Sequence, residues 1–210
     1  MNNNLLPIAK EGWSYVAYSF IAFLVLGFLD LEFLQFFSFL TILLFLYIFR
    51  NPERQMPSFE KGGVISPVDG TITSIQELKD HNYSYKITIE SSYFDVSILR
   101  APIESSIKSI DILKGAKLSK LSNLSDKLNE KMELVFEDIN SNKIKVTHQN
   151  ILGFSDIKSD AFISKKFVQG SRYGVMTKGI TSVYFPKNTK LDVATGMELK
   201  AGESIIAHLY

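Results

Sequence analysis

Ser171 follows Gly170 in the stretch FVQGSRYGVMTKGITSVYFP, residues 167–186, and this is the only Gly-Ser pair in the chain. A hydroxyl beside a glycine carbonyl suits a chain that cuts itself, because glycine lets the backbone approach the attacking oxygen closely. The commoner role of such a pair is a turn. Thr181 and Ser182 carry further hydroxyls, but they follow Ile180 and Thr181, whose β-branches crowd that approach. Asp69 precedes Gly70, a pairing that favours a hairpin turn, and Arg100 reads first as a paired surface cation. Three histidines, His81, His148 and His208, stand far apart with no pair at ligand spacing, so no metal site is expected. The absence of cysteine excludes a thiol nucleophile, a disulfide framework and thiolate metal ligation.

The scaffold for these residues reads as mainly β. Segments 63–67, 70–76, 84–90, 93–99 and 103–112 are short, rich in β-branched and aromatic residues, and punctuated by Gly, Pro, Asp or Asn. Further strands are expected at 133–139, 143–148, 172–177, 180–185 and 204–209, with NSN at 140–142 as a hairpin turn. Residues 117–131 have a helical or loop-like polar character. Strands at this spacing indicate a β-sandwich or barrel. GGVISPVDGTITSI and GMELKAGESIIAHL echo each other as turn–strand units of the barrel-sandwich-hybrid type. A biotinyl or lipoyl carrier would need an exposed lysine at a hairpin tip, and none is evident.

Ahead of this domain lie two uncharged runs, 14–29 and 33–49, separated by Asp30, Leu31 and Glu32. Neither shows the polar face of a soluble helix, and the segment lacks the single short core and cleavage site of a secretory signal. Two membrane helices in a hairpin are expected, fully spanning or re-entrant. Their span of roughly 24–26 Å at about 1.5 Å per residue falls just short of a bilayer core of about 30 Å. Trp13, Tyr15 and Tyr47 stand where interfacial aromatics belong. Lys10, Arg50 and Arg54 flank the pair while the connection is acidic, which places both ends on the cytoplasmic side of the inner membrane. The chain thus divides into an anchoring hairpin, 1–52, and a β-rich domain, 53–210. A formal net charge of +1 over 210 residues offers no surface for nucleic acid.

Several stretches together resemble one family. IAKEGWSYV before the hairpin, IFRNPER after it, and VISPVDGTI at 64–72 resemble the short, membrane-anchored bacterial phosphatidylserine decarboxylases. YFDVSILRAPIESSI, residues 93–107, resembles that family's Phe-Asp-x-His-x-x-Arg-x-Pro segment. LSDKLNEK resembles its Asp-Lys…Asn-Glu-Arg loop, and GSRYGVM, VYFP and GMELKAGESIIAHL resemble its C-terminal end. The resemblance implies a proenzyme that cuts itself at a Gly-Ser bond and turns the serine into a covalent pyruvoyl group. That group decarboxylates phosphatidylserine to phosphatidylethanolamine and CO2. It also implies Asp69 as the base that activates the cut and Arg100 as a residue on the substrate side.

At two positions the chain departs from that pattern. Counting seven residues back from Pro186 puts Gly179 at the family's serine, and keeping glycine in register puts Ile180 there. Ser97 stands at the family's histidine, and a serine does not titrate in the range proton transfer needs. His148 offers an imidazole, but nothing in the sequence places it near Ser97. The expectation is therefore a phosphatidylserine decarboxylase-like membrane protein of phospholipid metabolism that is catalytically impaired. The alternative is an active decarboxylase that makes its pyruvoyl group by cutting at Ser171, Thr181 or Ser182; a third reading puts the fold to a different chemistry. Expected partners are membrane phospholipid and a second subunit, as a homodimer or as a heteromer with an active relative.

Overall fold

The computed structural model describes residues 6–55, 62–80 and 82–210. His81 and residues 56–61 of the segment after the hairpin lie outside the described residues. Two compact units result, Met1–Glu53 and Arg54–Tyr210.

In the first unit a 3-10 turn, Lys10–Gly12, leads into α1 (Trp13–Phe28), and α2 is Glu32–Ile48. Both helices are apolar on every side, and large side chains such as Phe28 and Phe33 are exposed. Lys10–Phe28, 19 residues, is long and apolar enough to cross a membrane, whereas α2 is shorter at 17 residues. Asp30 turns the chain between them with φ 54°, a left-handed conformation that aspartate tolerates better than most residues. Along the helices, Ser38 Oγ donates to the Ser19 carbonyl at 3.0 Å, and the Tyr15 ring stacks on Phe49 at 5.3 Å. Gly12 permits this closure: a Cβ there would lie 2.5 Å from the Phe49 side chain. The ends are tied by Ala9 N–H to the Phe49 carbonyl and Asn51 N–H to the Pro7 carbonyl, both 2.8 Å.

The second unit is mainly β. Its strands are β1 (Gly63–Ile65), β2 (Gly70–Glu77), β3 (Tyr85–Ser91), β4 (Ile98–Arg100), β5 (Ser105–Leu113), β6 (Lys131–Glu137) and β7 (Lys143–Asn150). They continue as β8 (Lys158–Ser159), β9 (Lys166–Phe167), β10 (Arg172–Val175), β11 (Gly179–Phe185), β12 (Thr189–Leu191), β13 (Glu198–Leu199) and β14 (Ile205–Leu209). Eight of them form one sheet in the order β13-β2-β3-β11-β7-β6-β5-β9, and two three-stranded sheets, β1-β14-β12 and β4-β10-β8, accompany it. The core draws on alternate residues of these strands, among them Ile87, Ile89, Leu134, Phe136, Val146 and Val183. Strand β11 lies between β3 and β7 in unbroken antiparallel register, Thr181 opposite Ile89 on one side and His148 on the other.

The hairpin between β6 and β7 turns where NSN predicts it. Asp138 caps it by accepting the N–H groups of Asn140 and Asn142 at 2.8 Å, and Ser141 takes φ 65°. The two echoing segments pair reciprocally, β1 with β14 and β2 with β13. The expected strand at 93–99 is reduced to β4, because Asp95 folds Ser92–Asp95 into a turn by accepting from Ser92 N–H and Oγ. Of the expected helical or loop-like stretch 117–131, residues 117–130 form a loop holding one short helix, α3 (Ser125–Leu128), and Lys131 opens β6.

Candidate functional site

Asp69, next to last in the SPVDG turn at 66–70, is buried. Its Oδ2 meets Arg54 Nη2 at 2.8 Å, and its Oδ1 accepts the Ala201 N–H at 2.7 Å. Glu203 lies 3.4 Å from the other guanidinium nitrogen. Gly70 makes the turn feasible: its φ is +149°, and a Cβ would lie 2.4 Å from the Glu90 carbonyl oxygen. The Asp69 carbonyl in turn accepts Ser91 Oγ at 2.5 Å.

Ser91 closes β3 directly opposite Gly179, the first residue of β11, and Asn150 flanks Gly179 on the other side. A Cβ at Gly179 would stand 2.2 Å from the Gln149 carbonyl oxygen and 2.8 Å from Met176 Sδ. Met176 N–H donates to the Ser97 carbonyl at 2.8 Å, and Ser97 is buried. Asp69, Ser91, Ser97, Met176 and Gly179 are thus linked at one end of the large sheet. Ile180 faces away from them on the half-buried side of β11.

Ser171 lies elsewhere. Its N–H and Oγ both bond the Val168 carbonyl, at 3.1 and 2.6 Å, and Gly170 supplies the left-handed residue of that turn at φ 75°. Arg100, buried, reaches the Gly170 carbonyl through Nη1 at 2.9 Å, while its backbone N–H bonds the Pro67 carbonyl. Arg100 and Arg172 are opposite in the β4–β10 pair, whereas Ile98 and Val175 mark the other end, next to Ser97 and Met176. Gly170–Ser171 and Gly179 therefore sit at opposite ends of that pair. Asp69 reaches both neighbourhoods, Ser91 through its own carbonyl and Arg100 through Pro67.

One cluster had no signal in the linear sequence. Thr181 projects into the core from β11, on the same side as Gly179. Its Oγ1 is 2.8 Å from His148 Nδ1, and His148 Nε2 is 2.6 Å from the Tyr173 hydroxyl. All three are fully or almost fully buried. Burial lowers the His148 pKa to about 3, so the imidazole is neutral, and burial pushes the Tyr173 phenol up, so it keeps its proton. The histidine thus relays one hydrogen-bond chain through two hydroxyls. Ser182, the neighbour of Thr181, points to the opposite face between Thr88 and Thr147.

A mainly β domain behind an N-terminal apolar helix, with a linked set of Asp, Ser and Gly positions at one sheet end, is the class of protein these features define. A family model described as Phosphatidylserine decarboxylase matches residues 42–207. A phosphatidylserine decarboxylase proenzyme of Wolbachia pipientis wMel is 32% identical over 96% of this chain and 91% of its own length. Proenzymes of the same description from Geotalea uraniireducens (strain Rf4) and Ehrlichia chaffeensis (strain Arkansas) are 31% and 30% identical, covering 100% and 96% of this chain. The chain belongs to the phosphatidylserine decarboxylase family.

Proposed function

We propose that this chain is a membrane-associated member of the family that stays a single chain and does not decarboxylate. The observation that carries the reading is Gly179. It stands where the resemblance puts the serine, and it has no hydroxyl to attack the preceding carbonyl and no Cβ substituent to eliminate. A pyruvoyl group made at residue 179 does not fit the residues present, and a larger side chain would meet the Gln149 carbonyl at the distance of a clash. Ser97 in place of an imidazole supports the same reading. The retained Asp69–Arg54 pair and buried Arg100 then serve a phospholipid-facing binding or scaffolding role, alone as a dimer or beside an active relative on the cytoplasmic face of the inner membrane. The intact mass under denaturing conditions tests this: one species at 23.8 kDa is expected. Gly179→Ser is expected to remain uncut as well, and to lose roughly 1–3 kcal/mol of stability through overpacking.

A second reading rests on Thr181 and His148. The neutral imidazole is placed to take the Thr181 proton. Attack of Oγ1 on the Ile180 carbonyl carbon would break the Ile180–Thr181 amide and form an ester. β-Elimination would then leave Ile180 as a carboxylate and residue 181 as a dehydroamino acid, which water converts to a 2-oxobutanoyl terminus with loss of ammonia. Regular pairing on both sides of Ile180 and Thr181 holds that peptide extended and unstrained, which favours the uncut reading. A fragment beginning at 181 in the same mass spectrum would install the second reading in place of the first.

A further inference from the structure

Of the motif IFRNPER, the Asp69 neighbourhood uses Arg54 alone. The four residues before it, 50–53, close the first unit and line a cleft of about 420 Å3 together with Leu6 and Pro7. That volume falls among those of small-molecule sites, about 300–1,000 Å3. Two segments build it. Ile8 and Arg50 form an antiparallel bridge, Asn51 N–H donates to the Pro7 carbonyl, and Asn51 Nδ2 donates to the Leu6 carbonyl, the last two at 2.8 Å. These bonds fix the shape of a cleft whose lining is apolar at Leu6, Pro7 and Pro52.

Its charged groups are Arg50 and Glu53. Arg50 is held against the end of α2: Nη1 donates to the Tyr47 carbonyl at 3.0 Å, and the guanidinium carbon lies 4.1 Å from the centre of the Tyr47 ring. Glu53 is exposed three residues further on. A guanidinium fork suits a phosphate, and a carboxylate accepts the N–H groups of a primary ammonium, which a quaternary ammonium lacks. One cation and one carboxylate over an apolar lining therefore match a zwitterion with a phosphate at one end and a primary amine at the other. The place in the chain supplies the source. Arg50 lies two residues beyond α2, and Tyr47 and Trp13, both exposed at the same end of the two apolar helices, are aromatics of the kind that mark the headgroup level of a bilayer.

We propose that this cleft binds the headgroup of a phospholipid carrying a primary amine, with its phosphate on Arg50 and its ammonium on Glu53. The proposal rests on the membrane association of the helices, but not on whether the chain is cut. The site belongs to the first unit and is built without Asp69, Arg100 or position 179. Recognition of such a lipid therefore does not depend on the hydroxyl that Gly179 lacks.

The full-length protein is reconstituted in bilayers of phosphatidylethanolamine, phosphatidylcholine and phosphatidylglycerol in equal parts, extracted in mild detergent, and its retained lipid counted by native mass spectrometry. Expected is a preference of about fivefold for phosphatidylethanolamine over phosphatidylcholine, the scale of one exposed ion pair. Glu53→Gln should level the two, Arg50→Gln should lower retention of all three lipids, and Arg50→Lys should keep the preference. Equal retention by the parent overturns the proposal. A preference that survives Glu53→Gln overturns it too, because the amine is then recognised elsewhere. Free phosphoethanolamine that strips the bound lipid at an equal concentration would make the ligand a soluble headgroup and overturn the lipid source. Flotation of the parent on the same bilayers reports membrane association separately: a parent that does not float loses both readings, and one that floats without a preference loses the cleft alone. Intact masses of the same samples report whether the chain is cut.

Discussion

At the scale of single residues, His148 is the most telling. A histidine in the linear sequence offers no clue to its partners, and His148 joins Thr181 only through the register of β7 against β11 and Tyr173 only through packing. The folded state binds the imidazole proton more weakly than the unfolded chain does. Its contribution is therefore complete above the unfolded pKa of about 6.5 and is lost as pH falls toward 3. Between pH 7 and pH 5 this amounts to about 2 kcal/mol of lost stability. His148→Leu is expected to flatten that part of the pH dependence while lowering stability at pH 7 by about 1–3 kcal/mol, because two buried hydroxyls lose a partner. Melting temperatures of both proteins across this range, in the same detergent, check it. Equal slopes would mean that other groups govern acid unfolding.

Arg54 is the second such residue. The sequence suggested a charge beside the membrane segment, whereas the fold buries its side chain against Asp69. Removing it strands a buried carboxylate, a loss of about 3–5 kcal/mol, while Arg54→Lys keeps one charge and is expected to lose less. Chemical denaturation of Arg54→Ala, Arg54→Lys and Asp69→Asn reads this directly. A double variant Arg54→Ala with Asp69→Asn should recover part of the loss, since no charge then remains unpaired. SPVDG marked Asp69 as a candidate in the sequence, but its locking by Arg54 and Ala201 was not legible there, because those contacts join residues 15 and 132 positions apart.

Among elements, the long strands were legible because alternation and turn residues write them locally. The strands at 70–77, 131–137, 143–150 and 179–185 lie within two residues of the expected spans. The two- and three-residue strands β8, β9, β12 and β13 were not, since each exists only because a neighbour offers it a ladder. The segment 93–99 failed for the reverse reason: its aromatic and branched residues read as a strand, yet Asp95 caps a turn that takes its first half. Gly70 belongs at this scale because it sets the entry of β2. Gly70→Ala introduces a side chain at φ +149° and 2.4 Å from the Glu90 carbonyl, so a shift of backbone is unavoidable. The expected loss is about 2 kcal/mol or more, with Asp69 displaced from Ala201 N–H. Hydrogen exchange should report it as faster exchange of the Ala201 amide than in the parent, and an unchanged rate would show that the turn absorbs the methyl group.

For the molecule as a whole, the proposed membrane association turns on which way the two apolar helices would be oriented. The uncharged runs at 14–29 and 33–49 became helices within a residue or two of those limits, because nothing but backbone hydrogen bonding satisfies such a segment. Under the proposed membrane association, the helices would insert before the domain folds, and Arg54 would count as a cation when orientation is set although Asp69 pairs with it in the folded domain. Lys10, Arg50 and Arg54 are then expected to retain both ends on the cytoplasmic side, and the acidic turn at Asp30 and Glu32 faces the other way if both helices cross. Single cysteines test this in the cysteine-free chain: Asn3→Cys and Ile139→Cys report the two ends, and Leu31→Cys reports the turn. In intact spheroplasts a membrane-impermeant maleimide is expected to label only the cysteine at 31, and all three after permeabilisation. Absence of labelling at 31 before permeabilisation, with labelling afterwards, would establish a re-entrant hairpin that returns to the side it left. The length deficit of α2 gives that outcome a physical basis: at about 1.5 Å per residue its 17 residues reach roughly 25 Å, so full crossing requires the bilayer to thin around it.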